Sequence, residues 1–292
     1  MIPFAGSDLL HMERIYCDPG GVPVLMLHGA IGNARVFYSE KGRGLGPYLA
    51  RHGYDVYAAD LRGRGGSVPH LDRSSGYGQT ESITQEITAF TNAISDMRPD
   101  QRQHWIAHSW GGVLMTSHLA RFPGTAGRVR SLVYFGSKRR VDAVNLTRIL
   151  QIDLYWGMVA RLITSVRGYL PGRIGVFGLG SDDETRKSHL HCALWARGMD
   201  WVDPDDGFDY GSAVMRVSLP PALYFAAAKD RCLGHPEDVL RFMKESGQGD
   251  APFVLLGKDH GNLHDYRHVS MITHPDAVDD HFPSVLRWLN DH

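Results

Sequence analysis

"HWIAHSWGG", residues 104–112, sets a serine between a short apolar run and a pair of glycines. The run has the length and content of a buried strand, and the apolar spacing from Val113 to Phe122 is that of a helix. Ser109 therefore falls on a strand-to-helix turn. A serine that attacks a carbonyl needs an exposed position, a base to take its proton and donors for the developing oxyanion. A sharp turn supplies the first of these, provided small residues flank it, because the turn presses its neighbours against adjacent backbone. Gly111 fills the second small position of G-x-S-x-G, and Ala107 stands where the first glycine is usual. The pentad alone also describes an ordinary turn, in a chain with 33 glycines.

Working outward, runs suited to buried strands recur at 22–29 ("VPVLMLHG"), 54–60 ("YDVYAAD"), 129–136 ("VRSLVYFG"), 221–230 ("PALYFAAAKD") and 251–257 ("APFVLLG"). Helix-like segments lie between them, such as the one carrying Ile83, Ile87, Phe90 and Ile94 at helical spacing. This alternation predicts an α/β protein with a mostly parallel, doubly wound sheet covered on both faces. The rhythm breaks over 138–215, where two apolar helical stretches flank "PGRIGVFGLGSDD". The predicted organisation is a core in two parts, 1–137 and 216–292, with a helical cap inserted at 138–215. Trp156, Met158, Trp195 and Trp201 are candidates to line an apolar substrate site under that cap. The alternative is that they form the cap's own core.

Composition narrows the class. The chain has 292 residues, 43% hydrophobic and 22% charged, enough for one large core. A formal net charge of −1, with 31 Lys and Arg scattered among 32 Asp and Glu, leaves no basic stripe to track phosphates, so nucleic acid is not an expected partner. Cys17, Cys192 and Cys232 are odd in number and show no metal spacing, which points to idle or buried thiols. No basic segment leads into an apolar one at the start, and no run approaches the roughly 18 apolar residues of a membrane span. The expectation is a soluble cytoplasmic protein whose oligomeric state the sequence does not reveal.

The other parts of a site follow from position. His28-Gly29 closes an early strand, so the N–H of Ala30 and that of Trp110 form a candidate two-donor oxyanion hole, with the His28 imidazole bracing the loop. Asp60, Arg62, Gly63, Gly65 and Ser67 lie in a tight turn without the Lys-Ser/Thr of a phosphate loop. Asp230 follows a late strand, a position from which a carboxylate orients an imidazole; Glu237 and Asp238 read instead as first-turn helix residues. After the last strand, His260, His264, His268, His274 and His281 are all candidates for the base. His260, His264 and His268 fall at i, i+4 and i+8, but Gly261 interrupts them and no glutamate adjoins a histidine as H-E-x-x-H requires, so no metal is expected.

Strand, HG loop, D-x-R-G-x-G-x-S turn, serine turn, insertion, late acid and last-strand histidine together resemble the α/β-hydrolase superfamily over essentially the whole chain, in its serine esterase/lipase-like branch. "YRHVSMITHPDA" is similar to the stretch that carries the catalytic histidine in acid-lipase-like members, where a tyrosine sits two residues before it. That resemblance implies His268 as base, with Ser270 where those proteins have aspartate. "AKDRCLGHPEDV" resembles their acid-bearing loop and implies Asp230. It further implies Ser109 as nucleophile, an acyl-enzyme route, no cofactor and a small-molecule carboxylic ester with an apolar acyl or alcohol part. A serine rather than an aspartate at the turn argues against epoxide hydrolases and haloalkane dehalogenases. Carbon–carbon hydrolase, thioesterase, acyltransferase, lyase and ligand-receptor readings remain alongside.

Overall fold

A computed structural model describes residues 1–143, 154, 156–174, 177–178 and 180–292. The strands are β1 (Ile2–Pro3), β2 (Leu9–Ile15), β3 (Val22–Leu27), β4 (Tyr54–Asp60), β5 (Gln103–His108), β6 (Val129–Phe135), β7 (Tyr169–Leu170), β8 (Arg173–Ile174), β9 (Phe177–Gly178), β10 (Glu184–Thr185), β11 (Ala222–Ala227) and β12 (Phe253–Leu256). Eight of them form one sheet in the order β1-β2-β4-β3-β5-β6-β11-β12. From β4 to β12 neighbours run parallel, while β1 and β2 join antiparallel at one edge.

The central strands are predominantly apolar because both faces are covered. All seven residues of β4 are buried. On one face Ile87, Phe90, Val113 and Trp105 pack together; on the other, Phe37, Leu49, Phe282 and Leu289 do. Strand β2, "LLHMERI", next to the two-residue edge strand β1, is not in the predicted set. Its outward side chains are only half-buried, and its pairing with β4 is fixed by tertiary contacts, including Arg14 forked onto buried Asp55.

Between β6 and β11 the chain forms α-helices over Ala160–Arg167, Arg186–Ala196 and Tyr210–Val214, with short two-stranded pairings β7–β10 and β8–β9. Within the first predicted helical stretch of this insertion, 146–170, residues 146–153 and 155 lie outside the described residues. Trp195 and Trp201 correct the sequence expectation. Both are buried in the cluster that covers the sheet, where the Trp195 Nε1–H donates to Val202 O and the Trp201 Nε1–H to Ser117 Oγ. A helical repeat shows which face is apolar, not which neighbour that face meets.

The turn after β4 is tied by carboxylates. Asp60 accepts from the N–H groups of Ala34 (2.6 Å) and Gly66 (2.9 Å), and Glu86 Oε2 accepts from Arg62 N–H at 2.8 Å. Burial pushes Glu86 up to about 7, even though Arg62 N–H, Arg64 and Ser82 act in the opposite direction. An unfolded glutamate titrates near about 4.3, so between that pH and about 7 the folded protein holds a proton that the unfolded chain has released. This contribution is complete below the unfolded value and is lost as the pH rises toward the folded one. Urea unfolding is expected to show the Glu86→Gln variant gaining stability relative to wild type between about pH 5 and about pH 7.5. A difference that does not move with pH overturns this assignment.

Candidate active site

Strand β5 ends at His108, and Trp110 opens a twelve-residue helix, Trp110–Arg121. Ser109 joins them with φ 55° and ψ −123°, a left-handed backbone that a serine adopts only when its surroundings enforce it. Its N–H donates to Phe135 O on the adjacent strand at 2.8 Å. Gly111 lets the helix start against the sheet: a Cβ there would sit 2.5 Å from Leu27 O and 2.6 Å from His28 O. Only Gly111 of the two small positions needed to be glycine, since Ala107 is accommodated within β5.

The Ser109 Oγ lies 2.9 Å from His268 Nε2, and His268 Nδ1 lies 2.7 Å from Asp230 Oδ2. A carboxylate only accepts, so the proton of a neutral His268 resides on Nδ1 and Nε2 accepts from the serine hydroxyl. Asp230 Oδ1 accepts from Cys232 N–H at 3.2 Å. Burial by itself raises the Asp230 carboxyl; the His268 charge and hydrogen bond, the Cys232 N–H and Lys138 outweigh it and hold the acid below its ordinary range. Gly234 allows the pair to meet, because a Cβ there would come within 2.8 Å of both Asp230 Oδ2 and His268 Nδ1. His108 packs its ring 4.7 Å from that of His268, and its Nε2–H donates to His268 O at 3.0 Å. Burial, together with His268, lowers His108 to about 3, so it is a neutral brace for the histidine.

Across the cavity the HG loop is held on both sides. The His28 Nδ1–H donates to Gly29 O at 2.8 Å, and Nε2 accepts from Leu61 N–H at 3.2 Å. Burial keeps His28 neutral, lowered to about 4. Ile31, with φ 46°, donates its N–H to Glu184 Oε2 at 2.9 Å and accepts from Asp182 N–H at 3.2 Å. Glu184 is in turn paired with Arg64, both buried. The insertion therefore fixes the loop that carries Ala30. Among the described residues neither the Ala30 N–H nor the Trp110 N–H has an acceptor. Gly29 brings the two segments together: a Cβ on it would lie 2.9 Å from Ser109 Cβ and 3.2 Å from Trp110 N.

These groups open onto a cavity of about 540 Å³, within the size range of small-molecule sites. Ser109, His268, Ala30, Trp110 and Trp156 all line it. Met158 does not; it is 65% exposed, and with buried Trp195 and Trp201 it leaves Trp156 alone among the four predicted insertion residues at the cavity wall. His260 is exposed on the turn Lys258–His260 and is not among the residues that line the Ser109 cavity. His264 pairs with Asp276 at 2.5 Å and stacks on His274, so the i, i+4, i+8 histidines share no face. His264, His274 and Asp276 place ligand-capable atoms within 4.8 Å of one another at the partly exposed surface. Ser270 Oγ accepts from Arg267 N–H, closing the turn that carries His268. His108 and Glu184 were not among the predicted site residues, because each acts through a partner distant in sequence; nor was Lys138, which lines the cavity from a run of three cations.

A family model described as alpha/beta hydrolase fold matches residues 22–157. No curated protein matches the chain in sequence. Among solved structures it is similar to an esterase from Exiguobacterium antarcticum, at 14% identity over 99% of this chain and 98% of that one, with a TM-score of 0.63. It is also similar to the monoacylglycerol lipase of Paleococcus ferrophilus (15% identity, 96% and 98% covered, TM-score 0.61). A meta-cleavage product hydrolase from Pseudomonas fluorescens aligns at 15% identity over 99% and 97%, with a TM-score of 0.56. Identities this low speak to fold. The chain therefore has an α/β-hydrolase fold. Among the described residues no helix is long and apolar enough to cross a membrane.

Proposed function

We propose that the protein is a carboxylic ester hydrolase that works through an acyl-enzyme on Ser109. The observation that carries this reading is the chain of short contacts from Ser109 Oγ to His268 to Asp230 at the wall of a substrate-sized cavity. His268 Nε2 accepts the hydroxyl proton as Oγ attacks the ester carbonyl, and the N–H groups of Ala30 and Trp110 receive the oxyanion. The N-terminus of the helix that begins at Trp110 adds positive potential at the same point. His268 then passes the proton to the leaving alcohol, and water, deprotonated by the same imidazole, releases the acid. Asp230 keeps the histidine in the accepting tautomer throughout. The insertion acts as a cap over this chemistry, with Trp156 at its inner wall.

A p-nitrophenyl ester series of rising chain length, together with labelling by a fluorophosphonate, tests the proposal. Turnover of at least one member is expected, with the label on the tryptic peptide containing Ser109. Folded protein that hydrolyses none of the series and takes no label sinks it.

A further inference from the structure

Three cations follow strand β6 in succession: Lys138, Arg139 and Arg140. Arg139 forks onto Glu245 with two bonds of 2.9 Å and donates a third to Met199 O, while Arg140 lies 3.2 Å from Asp142. Lys138 differs. It is 6% exposed and lines the Ser109 cavity, yet among the described residues its Nζ has no carboxylate within 4.0 Å and no hydrogen-bond acceptor. The Trp110 ring centroid, 6.0 Å away, sits at the outer limit of a cation–π contact. Asp230 and Asp238 feel the charge of Lys138, but Asp230 is committed to His268 and the Cys232 N–H, and Asp238 to the Asp142 N–H. Arg35 and Arg173 line the same cavity, and among the described residues no aspartate or glutamate does.

A buried cation without a partner is costly, and folded proteins ordinarily supply one. Here the missing partner faces the substrate space. We infer that the cavity takes a substrate bearing a carboxylate remote from its scissile bond, with that carboxylate bound at Lys138 Nζ. The remainder of the wall, including Ile31, Val36, Val141 and Leu233, suits the apolar stem between the two ends. This rests on the ester-hydrolase reading and narrows it from apolar esters to anionic ones. The charge-assisted contact forms only with an anionic substrate, and an uncharged analogue leaves the lysine desolvated and unpaired, so discrimination is built into the site.

Two charged and uncharged ester pairs test it, one with the carboxylate on the acyl side (mono-4-nitrophenyl glutarate against 4-nitrophenyl pentanoate) and one with it on the alcohol side (4-acetoxybenzoate against phenyl acetate). In one of these pairs wild type is expected to favour the charged ester in kcat/KM by about tenfold or more; Lys138→Met should abolish that ratio and Lys138→Arg should keep part of it. A second arm needs no chemistry: ligand-observed NMR of monomethyl glutarate with Ser109→Ala and with Ser109→Ala/Lys138→Met, where affinity is expected to fall about tenfold. Equal binding to the two proteins, no binding to either, or a charged-to-uncharged ratio that Lys138→Met leaves intact overturns the carboxylate site. Lys138-dependent binding without turnover of any ester supports the carboxylate site and overturns the ester reading instead.

Discussion

Ser109→Ala is expected to lower turnover of any ester the wild-type protein hydrolyses by about 10⁶-fold, the scale on which loss of a triad serine acts elsewhere. The size follows from what remains. Without Oγ there is no acyl-enzyme, and the Ala30 and Trp110 donors can stabilise only a direct attack by water. Such an attack lacks the effective concentration of a hydroxyl already 2.9 Å from its base. Folding is expected to be little affected, because alanine keeps the Cβ and the Ser109 N–H bond to Phe135 O is a backbone contact. KM is expected to change far less than kcat, since the cavity wall is otherwise intact. The measurement is kcat on the best ester of the series with thermal unfolding in parallel. A variant that retains turnover within about tenfold of wild type, with its labelling by fluorophosphonate also retained, removes Ser109 as nucleophile.

How far such a site can be read from sequence depends on whether the signal is local. Strands β3, β4, β5, β6 and β11 are legible because each is buried on both faces and so is mostly apolar. Ser109, Asp230 and His268 are legible because each closes or follows a strand, and strand ends in a parallel sheet meet along one edge. Choosing His268 among five histidines took a resemblance, since spacing alone left them equivalent. The structure separates them by contact: His268 reaches Ser109, while His264 is spent on Asp276 and His281 on Met271 O.

What was not legible depends on partners far along the chain. Trp195 and Trp201 lie in a segment whose apolar content fits a cap lining as well as a core, and only the packing against Tyr210 and Phe242 assigns them to the core. The brace from Glu184 to Ile31 spans 153 residues and has no sequence signature. Lys138 is the sharpest case. In sequence it is the first of three consecutive cations, the pattern of a solvated surface, and only the carboxylates beside Arg139 and Arg140 set it apart.

The second large effect concerns the acid. Asp230→Asn is expected to lower kcat by about 10⁴-fold with little change in KM. Asparagine has nearly the shape of aspartate, and its carbonyl can go on accepting from the Cys232 N–H, so the loop is expected to stay in place. That leaves the amide NH₂ facing His268 Nδ1. Two N–H groups cannot share one hydrogen bond, so Nδ1 gives up its proton to become the acceptor and the ring carries its proton on Nε2 instead. Nε2 then points a donor at Ser109 Oγ, and no base receives the serine proton. The electrostatic part is lost as well. The Asp230 carboxyl, held below its ordinary range by His268 in spite of burial, is ionised at neutral pH and stabilises the imidazolium as it forms. Fluorophosphonate labelling should slow along with kcat, because it too needs a deprotonated Oγ, whereas carboxylate-ligand binding at Lys138 should persist. The decisive comparison is kcat for Asp230→Asn against Ser109→Ala on one ester. Turnover within about tenfold of wild type in Asp230→Asn takes the acid out of the mechanism and reduces the proposed site to a Ser109–His268 pair.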